Sequence, residues 1–425
     1  MAPLWQASGV YLLARLVPAA VALVSAPVFL RLIGPGEFGA FSLVMAFLLL
    51  LGNTGATWVT QGILRYRTLE GAGQELQPVV RRGTRLTALV VTLTGLVGVW
   101  ALGVGSLPVV LLAGAVLISH VHFSVAFAWS QSRGDPWRIL RAEGVRALLQ
   151  FGLPLGLLLA MGIRTWPPLL LGVLGGTLAA QMLLWNGARH PPAPGDERTV
   201  SESQGTISLS RLWRYGAPLA LWMAISILLN LSDRFLIDLL LSREDVGLYS
   251  AIYDVVYRGT GLLLAPVVLA AHPVIMNNWN QGDVKGAKRT MRKAGILMAV
   301  LGALLLAGWV VMANPAVALI TGSQATAHLS DLVWPVAAGA VAWQLAMVGH
   351  KPLELLERTG LMVALVSVAL AANVVGNLIL LPRVGLVGAA WSTLLGGLLY
   401  LMGVVGVTRW GPVGVTQWGQ GRAHP

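Results

Sequence analysis

Apolar residues run along this chain in blocks of about twenty or more, separated by short polar stretches, and polarity does not alternate within a block. The run Ala299-Val300-Leu301-Gly302-Ala303-Leu304-Leu305-Leu306-Ala307 is apolar on every side. A transmembrane β-strand needs an apolar and a polar residue in turn, so these blocks predict helices. A bilayer core of roughly 30 Å takes about 20 apolar residues per helical crossing. On that measure twelve spans are expected, at about 9–32, 38–64, 84–104, 107–129, 142–162, 167–187, 214–240, 246–274, 293–313, 331–350, 359–381 and 384–407. The fold class expected is an all-α polytopic membrane protein.

The longest polar stretch, residues 189–210, contains His190-Pro191-Pro192-Ala193-Pro194-Gly195-Asp196-Glu197-Arg198 and reads as a linker. It divides the chain into an N-terminal six-helix lobe (1–188), a C-terminal six-helix lobe (211–408) and a tail (409–425). A short internal repeat agrees with two parallel halves. Glu37-Phe38-Gly39-Ala40-Phe41-Ser42 opens the second span, and Asp245-Val246-Gly247-Leu248-Tyr249-Ser250 opens the eighth, the second span of its own half.

Composition removes the soluble alternatives. With 56% hydrophobic and 11% charged residues, the chain is far more apolar than a globular enzyme. The net charge of +12 would suggest nucleic acid in a soluble protein. Here it is an orientation signal, and no nucleic-acid partner is expected. Of the 29 Lys and Arg residues, 22 fall in or beside loops on one side, four on the other and three inside spans. That asymmetry puts both termini and the 189–210 linker in the cytoplasm. The first apolar run, broken by Arg15, reads as a retained helix rather than a signal peptide. There is no cysteine, hence no disulfide or thiolate site, and no Walker loop, dinucleotide fingerprint, H-E-x-x-H or G-x-S-x-G. No enzyme activity, cofactor or metal is called for, and primary ATP-driven transport by this chain alone is not expected.

Candidate chemistry lies in the ionisable residues inside spans, since a charge in the bilayer needs a partner or a wet cavity. On the seventh span Asp233 and Arg234 sit about 10 Å from the outer boundary; on the eighth, Asp254 and Arg258 sit about 12 and about 18 Å deep. Two readings stand side by side. Asp254 and Arg258, at i and i+4, neutralise each other and Arg234 snorkels toward Asp238, or the arginines serve a ligand. Tyr249, Tyr253 and Tyr257 recur every fourth residue beside them, a face for a sugar or, at Tyr249, an interfacial belt anchor. Arg15 on the first span, followed by Pro18, either faces a cavity or snorkels. Arg65 and Arg67 read as orientation marks. His120 and His122 are either proton relays or buried histidines. On the eleventh span Asn373 and Asn377 share a face, and Thr393 follows on the twelfth. These are oxygen ligands for a hard cation if an acid joins them, or interhelical glue.

Several of these stretches resemble the multidrug/oligosaccharidyl-lipid/polysaccharide exporter superfamily and, within it, the Wzx-type polysaccharide flippases. They are Leu30-Arg31-Leu32-Ile33-Gly34-Pro35-Gly36-Glu37-Phe38-Gly39-Ala40-Phe41-Ser42, Gly62-Ile63-Leu64-Arg65-Tyr66, Leu231-Ser232-Asp233-Arg234-Phe235-Leu236-Ile237-Asp238 running on through Val246-Gly247-Leu248-Tyr249-Ser250 to Tyr253-Asp254, Asn373-Val374-Val375-Gly376-Asn377-Leu378 and Gly385-Leu386-Val387-Gly388-Ala389-Ala390-Trp391-Ser392-Thr393. The resemblance implies a cavity between two six-helix lobes that opens alternately to either side of the bacterial inner membrane. Its cargo would be an oligosaccharide linked to undecaprenyl diphosphate. The resemblance gives the diphosphate to Arg15, Arg234 and Arg258, arginine being suited to phosphate by its planar fork, and with Asp254, Tyr253 and Tyr257 from the face read above these are the expected substrate-binding residues. It further implies a cation-coupling site for Na+ or H+ at Asp233, Asn373, Asn377 and Thr393, with Asn377 standing where a second carboxylate is expected. The competing functions are a multidrug cation antiporter of the same fold, a membrane-embedded polysaccharide polymerase or ligase, and a scaffold that transports nothing. The antiporter should present carboxylates where Arg15 stands, the polymerase would need a sizeable outer loop, and the scaffold has no use for Arg258.

Overall fold

The computed structural model describes residues 4–67, 72–185, 207–322 and 324–410. Most of the expected linker and nearly all of the tail lie outside the described residues. Among the described residues every regular element is helical: α1 (Leu4–Ile33), α2 (Pro35–Tyr66), α3 (Ala72–Ala101), α4 (Leu107–Ser132), α5 (Pro136–Met161), α6 (Pro167–Trp185), α7 (Leu209–Leu240), α8 (Arg243–Asn280), α9 (Val284–Thr321), a 3-10 turn (Gln324–Leu332), α10 (Val333–Gly349), the short α11 (Lys351–Leu355), α12 (Thr359–Val384) and α13 (Leu386–Trp410). Twelve of these segments are long and apolar enough to cross a membrane, one for each expected span. The chain is a multi-pass membrane protein.

Helices end where local chemistry stops them. Asp135, Ser242 and Asp283 cap α5, α8 and α9 by accepting the backbone N–H of Arg138, Asp245 and Gly286. Gly162 ends α5 in the left-handed region at φ 64°, where a side chain would be strained. Several helices run past the expected spans. Lys285, Lys288, Arg289, Arg292 and Lys293, read from the sequence as a loop and its flanks, lie within α9. Helix propensity continues into water, where Lys and Arg are good helix formers, while hydropathy marks only the part in lipid. Large apolar side chains such as Val97, Leu304 and Val311 are exposed on the protein surface, as lipid contact requires.

Two compact units divide the chain. One comprises residues 1–22 and 40–227, the other 23–39 and 228–425. In the first, Trp58, Val59, Ile63, Leu76, Val80 and Leu212 bury one core cluster, and Phe123, Ala142, Ala180 and Leu184 another. In the second, Leu264, Ile275, Met298, Val341 and Val348 join α8, α9 and α10.

The repeat has a structural counterpart inside the second unit. A Cβ built on Gly39 would collide with the Arg243 carbonyl oxygen and the Gly247 nitrogen; one built on Gly247 would collide with the Pro35 carbonyl and the Gly39 nitrogen. The two copies of the motif therefore meet backbone to backbone at their matched glycines, as small residues permit in membranes. Gly247→Leu is expected to lower the melting temperature and the yield of monodisperse protein, since overpacking of this kind costs about 1–3 kcal/mol. Gly406→Leu, with nothing within 4 Å of its added Cβ, should leave both unchanged. Size-exclusion chromatography and thermal melting check the pair.

Candidate functional site

Asp233 sits in the C-terminal half of α7, is 1% exposed, and has three donors on its carboxylate. Asn377 Nδ2 of α12 donates to one oxygen at 2.7 Å. Tyr249 OH of α8 and Thr393 Oγ1 of α13 donate to the other at 2.8 and 2.7 Å. Asn373 Oδ1, one turn from Asn377, accepts from Ser232 Oγ at 3.0 Å and from Asn377 Nδ2 at 3.3 Å. Three helices thus bring together Asp233, Asn373, Asn377 and Thr393, the residues grouped from the sequence, and α8 adds Tyr249. Two polar atoms of the cluster, Asn377 Oδ1 and Asn373 Nδ2, are buried without a hydrogen-bond partner. The amide of Asn377 can only donate with the nitrogen it now presents, whereas the two hydroxyls can donate or accept. The cluster can therefore change its polarity by rotating hydroxyls and turning one amide, without moving a helix.

Tyr249 is a correction to the sequence reading. The belt-anchor alternative placed its hydroxyl at the interface, but the side chain is fully buried and its hydroxyl is on Asp233. Sequence signals for this were slight: only its place one turn before Tyr253 and the acid motif on the neighbouring span. Ser232 was likewise passed over.

The next residue of α7 and the next turn of α8 carry a second polar group. Arg234 Nη2 donates to Asp254 Oδ1 at 2.7 Å, and Arg258 Nε forms an ion pair with the same oxygen at 3.1 Å. Neither sequence alternative anticipated the shared carboxylate. The i, i+4 pair exists, but Arg234 does not snorkel to Asp238; it is 2% exposed and turned onto Asp254, while Asp238 takes Arg243 at 3.1 Å. Two guanidinium groups on one carboxylate leave a net positive charge. The exposure is unequal, with 42% of the Arg258 side chain accessible against 3% for Arg234. The Tyr253 ring lies under the Arg234 guanidinium at 5.9 Å, its hydroxyl donates to Asn230 Oδ1 at 3.3 Å, and the ring stacks on Tyr257 at 4.7 Å and 10°.

Arg15 is exposed on α1 and belongs to the first unit. His120 packs over Gly52 and its buried Nε2 has no hydrogen-bond partner, while His122 Nδ1 pairs with the Ile118 carbonyl at 2.8 Å. Lys351, counted from the sequence only as an orientation mark, is buried and paired with Glu354, beside His350 Nδ1 on Tyr400 OH at 3.1 Å.

Comparison with known proteins agrees with this architecture. Residues 151–329 match the family described as "Polysaccharide biosynthesis protein". The inward-facing conformation of a multidrug resistance MATE family transporter of the MOP superfamily is 14% identical, with 96% of this chain and 99% of that chain covered at a TM-score of 0.70. An outward-facing MATE structure gives 13% identity, 97% and 95% coverage and 0.72. The lipid II flippase MurJ, in an inward closed conformation, gives 12% identity, 94% and 87% coverage and 0.72. No curated protein matches the sequence. At these identities the likeness is one of fold, and it is the fold of the superfamily whose motifs the sequence resembles.

Proposed function

We propose that this membrane protein, with the fold of the multidrug/oligosaccharidyl-lipid/polysaccharide exporter superfamily, is a Wzx-type flippase. Its cargo is an oligosaccharide linked to undecaprenyl diphosphate, carried across the bacterial inner membrane by alternating access, with both termini in the cytoplasm. The observation that carries the reading is the arginine pair on Asp254. Arg234 is buried and neutralised there, so the surplus positive charge rests on the accessible Arg258 guanidinium. A diphosphate is the matching ligand, because its oxygens accept two parallel bonds from the fork and its charge cancels the surplus. Tyr257, partly exposed and backed by the buried Tyr253 ring, offers an aromatic face for sugar on this reading. Arg15 is a further phosphate contact on this reading. The family match at residues 151–329 supports a polysaccharide substrate.

Coupling is assigned to Asp233 with Asn373, Asn377 and Thr393. A cation entering there draws on the carboxylate and on amide and hydroxyl oxygens, ligands that suit Na+; the same hydroxyls accept from a protonated Asp233 if H+ is the ion. A multidrug antiporter of this fold would need to attract cationic drugs, which the charge at Arg258 repels.

Reconstitution tests the proposal. Vesicles holding the purified protein and a fluorescent undecaprenyl-diphosphate oligosaccharide should lose the inner-leaflet label to an impermeant quencher at least tenfold faster than empty vesicles. Transport of ethidium with no movement of the glycolipid would replace this reading by the antiporter.

A further inference from the structure

The first unit carries a basic site of its own, where the end of α2 meets the start of α7. The two helices pack closely enough there that Gly62 faces Leu212 and a Cβ on Gly216 would run into the Trp58 backbone. Trp58 and Trp213 meet edge to face at 5.2 Å. On this floor the two helices exchange arginines. Arg65 of α2 lies over the Tyr215 ring of α7 at 5.8 Å, and Arg211 of α7 lies over the Tyr66 ring of α2 at 5.4 Å. The two rings are themselves edge to face at 5.9 Å. A pocket of about 520 Å³ opens beside them, lined by Tyr66, Ser208, Ser210, Arg211, Arg214 and Tyr215.

Orientation marking explains positive charge at this end of a span, but it requires neither a cavity nor tyrosine rings under the guanidinium groups. Stacking on a ring holds a guanidinium plane in place and lowers the entropy lost when it binds. Arg211 and Arg214 lie three residues apart and so share a face of α7. Among the described residues that line the pocket none is acidic, and Ser208 and Ser210 add hydroxyls. Its volume falls within the range of small-molecule sites, roughly 300–1,000 Å³. One guanidinium held over a ring, a second on the same helix face and two hydroxyls form a recognition surface for phosphate oxygens.

We propose that this pocket binds a phosphate or diphosphate headgroup on the membrane face where the basic loops gather. The site shares no residue with the group around Arg258, and binding there can be measured without transport.

Binding of three probes to the purified full-length protein in detergent tests it: inorganic pyrophosphate by calorimetry, and farnesyl diphosphate and phosphatidylglycerol by native mass spectrometry. Saturable binding of at least one probe is expected, weakened tenfold or more in the double variant Arg211→Gln/Arg214→Gln and less in Tyr215→Leu. Arg289→Gln, an exposed arginine on α9, should change nothing. The substituted arginines are exposed, so an unchanged melting temperature is expected to show that the fold survives. Preference for farnesyl diphosphate over the other two would identify an isoprenoid-diphosphate site, preference for phosphatidylglycerol a membrane phospholipid site, and equal binding of pyrophosphate a site that reads phosphate alone. Absence of saturable binding for all three, or undiminished affinity in the double variant, overturns the proposal.

Discussion

Asp254→Ala is expected to destabilise the protein by about 3–5 kcal/mol, while Arg258→Gln leaves its melting temperature within error and removes most transport. The asymmetry follows from what each change leaves behind. Without Asp254, the guanidinium of Arg234, 2% exposed, keeps its charge and loses its carboxylate, the situation in which breaking a buried pair costs most. Without Arg258, Asp254 still holds Arg234, and the lost contact involves a side chain already 42% accessible, so its stability contribution is small. For the same reason the double variant Asp254→Ala/Arg258→Ala, which the i, i+4 spacing alone would suggest as a neutral control, is expected to fail in folding rather than in transport. Arg258→Lys should recover part of the rate, because a point charge attracts a diphosphate but lacks the fork. Thermal melting in detergent and the vesicle assay separate the two effects. Normal glycolipid movement by Arg258→Gln would end the phosphate role of this residue, and an unshifted melting temperature in Asp254→Ala would contradict the shared-carboxylate geometry.

Asp233→Asn is expected to abolish ion dependence while the protein still folds. Asparagine has the same shape, and the cluster can accommodate it: Tyr249 and Thr393 can accept instead of donate, and Asn377 can turn its unpartnered Oδ1 toward the new amide. What the substitution removes is the negative charge a bound cation needs. A ligand that binds only the folded state raises the melting temperature with its concentration, so the wild-type protein should be stabilised by rising Na+, or by rising H+ if the proton is the coupling ion. The variant should show neither response, and its transport rate should fall at least tenfold. Asn377→Asp, which supplies a second carboxylate, should steepen the response to Na+. A variant at Asp233 that keeps the wild-type ion response would reassign the cluster to interhelical bonding.

The twelve spans were legible because hydropathy is local and additive: about twenty apolar residues in a row cross a bilayer whatever the neighbouring helix does. The match between Gly39 and Gly247 was legible for a similar reason, as a repeated string at equivalent places in the two halves. Grouping Asp233 with Asn373, Asn377 and Thr393 was within reach because Asn373 and Asn377 lie one turn apart on one helix, Thr393 follows on the next span and the family resemblance supplied the acid. The partners of the remaining polar residues were not legible. Periodicity tells which residues share a face of one helix, but not which way that face is turned in the bundle. Arg234 could be assigned to Asp238 on its own helix, and Tyr249 to the lipid interface, without violating any local rule. Only the packing of α7 against α8 turns Arg234 onto Asp254 and Tyr249 onto Asp233. The cost of burying an unpaired charge or hydroxyl decides such partners, and that cost depends on what the neighbouring helices present. The same holds for the crossed arginines and tyrosines at α2 and α7. Arg65 and Arg211, which by charge alone mark orientation, come to lie over Tyr215 and Tyr66 only because Gly62 and Gly216 let the helices close on each other.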